Sequence, residues 1–476
     1  MYYVPLQRSQ IPESDPPSYN LSQLPIREHD ELMAQAKEVQ DAPNQATSNR
    51  LAKQYGIKGV PILSSLSSIS FPESFPFDFM HLIWENLIPN LILFWTASFK
   101  DLDHENQGYV LPPAVWRAIG ANTATCKASI PSAFGAPIPN IALQQSQMTS
   151  EMYSNWTLFV APILLYNKFP QRKYYQHFMK LVQLLKMCME FEISEEMLDV
   201  IEGGFRAWVE DYKKFYYFHQ TRRLSACPLT IHALLHIAWG IRVAGPVWTY
   251  WAFPMERHCN TLLPSIRSRR HPYAAITTFV TAMAQLDQVR LNYNLHSELS
   301  LSGMKRTLSI KDLICDSYSS YKLSPPRRTE LIPTHLRDKV YAALATRFEK
   351  AKATIKTLLN LDEPVIQYDR VTCLGGGDIM SGCDLVHKSE DSRDASFIKA
   401  SPFDLWCYCH TKLTIIIYAV VQAVKITQKN NFYCYRDTGT FQVIDLNTVQ
   451  CVVGRVNDGD RWSIVDRTGV STVQDD

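Results

Sequence analysis

Two segments of the sequence place acidic and histidine side chains where they could bind a ligand or a metal ion. The first contains Asp78 and His81, three residues apart in the apolar stretch from Phe75 to Asn90. On a helix these positions share a face, so Asp78 could orient His81 or both could reach one ligand. The alternative is a hydrogen-bonded structural pair in a core helix, which the spacing alone favours.

The second segment, Gly245 to Arg257, ends in a single carboxylate, Glu256, after a run dense in aromatic residues. A carboxylate beside packed rings needs a cation or hydrogen-bond donors to compensate its charge. Arg257 could be that partner, and an ion pair is the more common use of such a position than a metal site. The sequence leaves both interpretations open for Glu256.

A basic cluster follows this segment, where Arg267, Arg269 and Arg270 come just before a helix that should begin at Pro272. Guanidinium groups match phosphate geometry, and a helix N-terminus adds backbone donors for an anion. With Arg257, these arginines are the predicted DNA-binding residues. A solvated basic turn is the alternative.

Three further patterns fit known sites less well. His232 and His236 have the spacing of a zinc-binding helix, but Ala233 stands where a metalloprotease needs its glutamate, so both are predicted to be core histidines. The run Gly375 to Asp378 lacks the Lys-Ser/Thr of a phosphate loop, and Cys407-Tyr408-Cys409-His410 is too cramped for one tetrahedral zinc.

Composition limits the class of protein. The net charge of +2 provides no field across the whole chain that would attract nucleic acid, so DNA contacts must be local. The eleven cysteines, without a C-x-x-C pair, indicate a reducing compartment. The N-terminus does not resemble a signal peptide, and the longest apolar run, Leu413 to Val424, is shorter than the roughly 20 residues of a spanning helix. We expect an intracellular protein without a membrane partner.

Hydrophobic periodicity predicts an α+β fold, with a mainly α-helical body and a small C-terminal antiparallel β domain. Four segments are expected: an arm with short helices (1–60), the helical body (61–315), a linker and long helix (316–400) and the β domain (401–476). The linker is placed at residues 316–333 because of Pro325-Pro326-Arg327-Arg328, and Asn457 to Asp460 is predicted to form a hairpin turn.

Taken together, the segments resemble the CACTA (En/Spm) superfamily of DNA transposases, in the version spread through fungal genomes. The resemblance covers nearly the whole chain, and its specific stretches follow one another in order. They are Phe75 to Asn90 with its D-F-M-H-L-I-W-E-N core, Arg223 to Ile237, Gly245 to Arg257 with its P-M-E-R string, and Asp445 to Asp466.

The resemblance implies a cut-and-paste transposase whose RNase H-like core carries an Asp, Asp, Glu triad, with a helical insertion before the glutamate. The family's Asp-x-x-His string matches Asp78 and His81, and its glutamate matches Glu256, 178 residues later. The implied catalytic residues are Glu256, Asp78 and His81, with Glu256 as a ligand of Mg²⁺ or Mn²⁺. Transposon-end DNA is the implied partner, an oligomer or partner chain is possible, and the nucleus is the implied compartment.

Two-metal cleavage of a phosphodiester needs carboxylates that hold both ions, so one acid is not enough. In the family both catalytic aspartates precede the Asp-x-x-His string. The candidates here, Asp15, Asp30 and Asp41, do not lie in predicted strands, and neither role is assigned to them. We therefore expect an N-terminally truncated, transposase-derived protein that binds its metal unproductively. The alternatives are a domesticated DNA- or protein-binding module and, less favoured, a metal-dependent hydrolase that uses His232, His236 and Glu256.

Overall fold

The chain combines α-helices with small antiparallel sheets, which confirms the predicted α+β class. The structure is a computed structural model that describes residues 27–100, 102–104, 107–266, 270–295, 298–299, 312–374, 379–381, 405–410, 414–429, 432–449 and 451–467. Within these residues, none of the helices combines the length and the apolar character needed to cross a membrane.

Helices dominate the first two thirds of the described chain. Three segments are π-helical: Met80–Leu87, Trp156–Val160 and Lys213–Tyr217. The α-helices, numbered in chain order, are α1 His29–Gln40, α2 Gln45–Tyr55, α3 Ile88–Trp95, α4 Pro113–Thr125, α5 Ser150–Asn155, α6 Ala161–Leu164, α7 Arg172–Cys188, α8 Glu195–Tyr212, α9 Leu229–Ala233, α10 Ile237–Ala244, α11 Phe253–Leu262, α12 Pro272–Tyr293, α13 Thr334–Arg347 and α14 Lys352–Leu358.

The chain divides into two compact units, and each combines two separate stretches of sequence. The first unit comprises residues 1–116 and 165–279, and the second comprises 117–164 and 280–476. The stretch 117–164 thus belongs with the C-terminal strands, although it lies within the sequence of the predicted helical body. The sequence-based division used contiguous segments and therefore could not assign residues 117–164 to the unit of the C-terminal strands.

The first unit is helical and has an aromatic core. The rings of Phe94, Tyr109, Tyr212 and Tyr216 lie against one another with centroids 4.8–6.1 Å apart, and all four residues are buried. Helix α8 begins as the sequence predicts, because the Ser194 side chain accepts a hydrogen bond from the Met197 N–H. Burial of large rings supplies most of the stabilising apolar area in such a core.

The second unit contains the strands. In chain order they are β1 Tyr321–Glu330, β2 Val365–Cys373, β3 Ile379–Ser381, β4 Leu405–His410, β5 Thr414–Val424, β6 Thr427–Lys429, β7 Phe432–Tyr435, β8 Thr438–Asp445, β9 Gly454–Asn457 and β10 Trp462–Val465. One antiparallel sheet has the order β1-β2-β4-β5-β8, with β3 paired to β2, and a second has the order β6-β7-β10-β9.

Strand β5 explains the long apolar run of the sequence. Ile417 and Ala419 pack into a core on one face of the larger sheet, and Ile416, Tyr418 and Val420 pack into the core that α13 and α14 form on the other. Successive strand residues point to opposite faces, so a strand covered on both sides is apolar throughout.

The linker predicted at residues 316–333 is wrong, since β1 occupies Tyr321–Glu330 at the edge of the larger sheet. Its pairing with β2 shifts between Ser324 and Arg327, where the two prolines cannot donate to the ladder. The β region therefore begins well before residue 401. The long helix predicted after the linker is interrupted between α13 and α14, where Glu349 has a φ of +50°.

The predicted C-terminal hairpin is confirmed. Strands β9 and β10 pair antiparallel, and the Asp458 N–H donates to the Arg461 carbonyl across the turn. Gly459 has a φ of +74°, a conformation that favours glycine. The turn chemistry of Asn457 to Asp460 thus specifies the register of this pair.

Candidate functional site

Asp78 joins the two segments that the sequence analysis singled out. Its Oδ2 accepts a hydrogen bond from the His81 backbone N–H at 2.8 Å and lies 2.5 Å from the His81 Nδ1. Its Oδ1 accepts a hydrogen bond from the Ala252 backbone N–H at 2.6 Å. The Asp78 carboxylate therefore caps the start of the helix that contains the π-helical segment Met80–Leu87. It also orients the His81 ring and holds the chain just before α11.

The Asp78–His81 pair lies on the open side of a helix whose other side is in the core. Met80, Leu82 and Trp84 of the π-helix are buried, whereas the His81 side chain is 47% exposed. The pair is thus hydrogen bonded, as the structural interpretation expected, but it is accessible to a ligand. π-Helical segments often occur at functional positions because they re-aim side chains within a helix.

Glu256 reaches the same point from α11. Pro254 lies in the first turn of that helix, where its missing N–H has no cost, and Glu256 also lies in the first turn, where the helix dipole favours a negative charge. Its Oε1 is 3.4 Å from the His81 Nε2. His81 and Glu256, which belong to the two distant segments, therefore lie side by side, and Asp78 contacts the same imidazole ring.

Helix α10 supports both segments. A side chain at Gly240 would have its Cβ 3.3 Å from the Pro76 Cβ, a tight contact that glycine avoids, and 3.6 Å from the Tyr250 hydroxyl, an ordinary contact distance. Gly245 ends α10 with a φ of +84° and turns the chain toward α11. The backbone conformation at the end of α10 therefore explains why the segment from Gly245 to Arg257 begins with glycine.

The electrostatics of the site centre on His81. Burial lowers the pKa of His81, but the hydrogen bond and charge of Asp78, with the charges of Glu85 and Glu256, outweigh it and raise that pKa above its usual value. Within the described residues, Glu256 forms its ion pair with His81 and not with Arg257. The Glu256–Arg257 ion pair, one of the two interpretations that the sequence left open, is therefore not formed.

Glu85 is a site residue that the sequence analysis missed. Its Oε2 lies 3.7 Å from the His81 Nε2, and the donor atoms of His81, Glu85 and Glu256 are all within 4.8 Å of one another. Residues four apart on a helix face the same side, so its spacing from His81 was a usable signal.

The predicted DNA-binding arginines are described only in part. Arg257 is exposed on α11, next to Glu256, and Arg270 is exposed two residues before α12. The helix start predicted at Pro272 is confirmed. Arg267 and Arg269 lie outside the described residues.

His232 and His236 form a pair of their own. Their Nε2 atoms are 3.2 Å apart, so one ring donates to the other, and the His236 ring lies against Phe77. Burial lowers the pKa of both, that of His232 to about 4, which keeps the rings neutral near pH 7. In the described chain they do not share a group of three donor atoms with Glu256. The hydrolase site of His232, His236 and Glu256 is thus not assembled.

The early aspartates differ in what can be said of them. Asp30 lies in the first turn of α1 and Asp41 directly follows that helix, and both are exposed. Asp15 is outside the described residues. Neither Asp30 nor Asp41 therefore lies in a strand, in agreement with leaving the family's catalytic aspartates unassigned.

Comparison with known proteins adds no relative to this description. No protein-family model matches the chain, and neither a curated protein nor a solved structure is significantly similar to it.

Proposed function

We propose that this chain is a transposase-derived protein of the CACTA type, whose site holds a divalent metal beside a DNA-binding surface and lacks nuclease activity of its own. The observation that carries the proposal is the meeting of Asp78, His81 and Glu256. These are the residues that the family resemblance selects from two distant motifs. If the two motifs were unrelated, their side chains would not be expected to lie next to each other, so this contact supports the proposal.

The chemistry of the donors fits a divalent cation. Glu256 offers a carboxylate oxygen, and His81 presents its Nε2 beside it, while Asp78 holds the other ring nitrogen. A metal held there would polarise a phosphate oxygen and stabilise charge that develops during phosphodiester cleavage. Glu256 and His81 are the residues that would hold it, and Asp78 would fix the orientation of the His81 ring.

The positions of the acidic residues also support the proposal that the chain does not cleave DNA by itself. A two-metal mechanism needs several carboxylates in one centre, and Asp30 in α1 and Asp41 directly after it are not strand-borne aspartates of such a centre. An RNase H-like arrangement of the core, DNA as the partner and a nuclear location belong to this proposal as well. They rest on the resemblance.

Binding of duplex DNA is the outcome that separates this proposal from an enzyme acting on small molecules. Three or four phosphate contacts by Arg257, Arg267, Arg269 and Arg270 give a log–log salt slope of roughly −3 to −4. Replacing Arg267, Arg269 and Arg270 with Ala should flatten that slope by about 3, with little dependence on DNA sequence. Titration of labelled duplex at several salt concentrations measures it.

A matched control is Arg206→Ala with Lys214→Ala and Lys350→Ala, which removes three exposed cations that lie elsewhere in sequence. That variant should keep the slope of the unsubstituted chain. No binding at about 50 mM salt, or equal binding by the arginine variant, would contradict the DNA assignment. Nicking of the duplex in Mn²⁺ that disappears in Glu256→Gln would contradict the lack of nuclease activity.

A protein-binding module is the second candidate, and α12 favours it. None of the 22 residues of this helix is buried, and Tyr273, Leu291 and Tyr293 are more than half exposed. Exposed apolar side chains on one element are typical of surfaces that bind another protein. If the chain is a protein-binding module, a variant that cannot bind DNA should still bind its protein partner.

A further inference from the structure

We propose that His81, Glu85 and Glu256 form a three-ligand site that selects a first-row transition-metal ion such as Mn²⁺ or Zn²⁺ over Mg²⁺. The inference rests on the proposed function for the role of Glu256, and it adds Glu85 as a ligand and the identity of the metal. The sequence analysis gave Glu85 no role, although it lies four residues after His81.

The positions of the donor atoms are the first argument. The His81 Nε2 is 3.4 Å from the Glu256 Oε1 and 3.7 Å from the Glu85 Oε2. Ligands bonded to one ion at about 2.1 Å are separated by about 3.0 to 3.4 Å, so both His81 distances lie within a few tenths of an ångström of that range. The donor atoms of all three residues lie within 4.8 Å of one another and would have to close around the ion. All three side chains are at least 41% exposed, which leaves further coordination positions to water or to a ligand.

The charge of the cluster is the second argument. Asp78, Glu85 and Glu256 surround a single imidazole. A protonated His81 carries one positive charge beside these three carboxylates, which repel one another. A divalent cation between them relieves this repulsion, which a hydrogen-bonded structural pair would not need.

The orientation of His81 is the third argument, and it separates this cluster from a group of acids alone. The Nδ1 is engaged by Asp78, which is itself fixed by the Ala252 N–H. In the neutral ring this arrangement places the lone pair on Nε2, the atom that faces both glutamates. Carboxylate–histidine–metal arrangements use the same tautomer control.

The mixed donor set determines the preference among metals. Mg²⁺ prefers oxygen ligands and keeps much of its water, whereas imidazole nitrogen favours Zn²⁺ and other later ions. Mn²⁺ accepts both donors but binds more weakly than Zn²⁺ in the usual order of stability. One nitrogen and two carboxylate oxygens therefore favour transition metals over Mg²⁺.

Titration of the full chain with Mn²⁺, followed by electron paramagnetic resonance without DNA, tests the proposal. We expect one bound Mn²⁺ per chain, displaced by Zn²⁺ but not by an equal concentration of Mg²⁺. Glu85→Gln, Glu256→Gln and His81→Gln should each weaken binding at least tenfold, and Asp78→Asn should weaken it by about tenfold. Glu210→Gln, an exposed change on α8, is the matched control and should bind Mn²⁺ normally.

Normal Mn²⁺ binding by Glu85→Gln would overturn the assignment of this residue, and displacement by equal Mg²⁺ would overturn the selectivity. A chain that binds no Mn²⁺ at millimolar concentration would overturn the site. Circular dichroism of each variant distinguishes lost ligands from lost folding. Because DNA is absent, these outcomes are independent of the salt titration, whose failure would contradict the proposed function and leave the metal site standing.

Discussion

Replacing Arg223 with Met is expected to reduce the free energy of unfolding by about 3 to 5 kcal/mol. Arg223 is buried, and its guanidinium donates to the Tyr216 carbonyl at 2.9 Å, the Asp103 carbonyl at 2.7 Å and the Tyr109 hydroxyl at 2.9 Å. Met retains much of the apolar volume but no donor, so buried acceptors lose their partner, and each loss costs about 1 to 3 kcal/mol. Denaturant unfolding measures the change.

The neighbouring Arg222 provides the control. Its side chain is exposed and bonds to Gln220. Arg222→Met should change the free energy of unfolding by less than about 0.5 kcal/mol. If Arg223→Met were as mild as this control, the three hydrogen bonds would not hold the Asp103 and Tyr216 segments together.

Acid is expected to destabilise the first unit through His177, by about 2 kcal/mol between pH 7 and pH 5. Burial lowers the pKa of this ring from 6.5 to about 4. Between these values the unfolded chain binds more protons than the folded one. The contribution is therefore fully present above the unfolded pKa and is lost as the pH falls toward 4.

His177→Gln tests this effect, because an amide can still donate to the Trp208 carbonyl, which the His177 Nε2 contacts at 3.1 Å, yet does not titrate. Unfolding curves at several pH values should show a shallower loss of stability in this variant, and His232 leaves a residual slope of the same sign. The exposed His335→Gln is the control. An unchanged pH dependence in His177→Gln would mean that another group is responsible.

Local signals specified much of the fold. Ser194 at a helix start, Pro272 in a first turn and Asn457 to Asp460 at a hairpin act within a few residues, so the sequence displays them directly. The strand through Pro325 and Pro326 was hidden, because prolines indicate a linker unless a neighbouring strand tolerates the missing donors at an edge. Residues 117–164 belong to the same compact unit as the C-terminal strands through contacts between residues far apart in the sequence, which no local sequence pattern indicates.

The site was predictable to the extent that motifs named its members. Asp78 and His81 follow from their spacing, but their approach to Glu256 depends on the close packing at Gly240 and on the turn at Gly245. The sequence left the partner of Glu256 open, because the adjacent Arg257 was visible as a cation and the distant His81 was not. Arg223 could not be distinguished from Arg222 before burial was known, because both are arginines in one polar turn.

The central claim is that Asp78, His81 and Glu256 belong to one divalent-metal centre. Anomalous diffraction from crystals of the full chain soaked in Mn²⁺ tests it most directly. We predict a single strong peak about 2.1 Å from the His81 Nε2, with carboxylate oxygens of Glu85 and Glu256 in the same coordination shell. A map without a peak at this position, with Glu256 paired to Arg257 instead, would contradict the account.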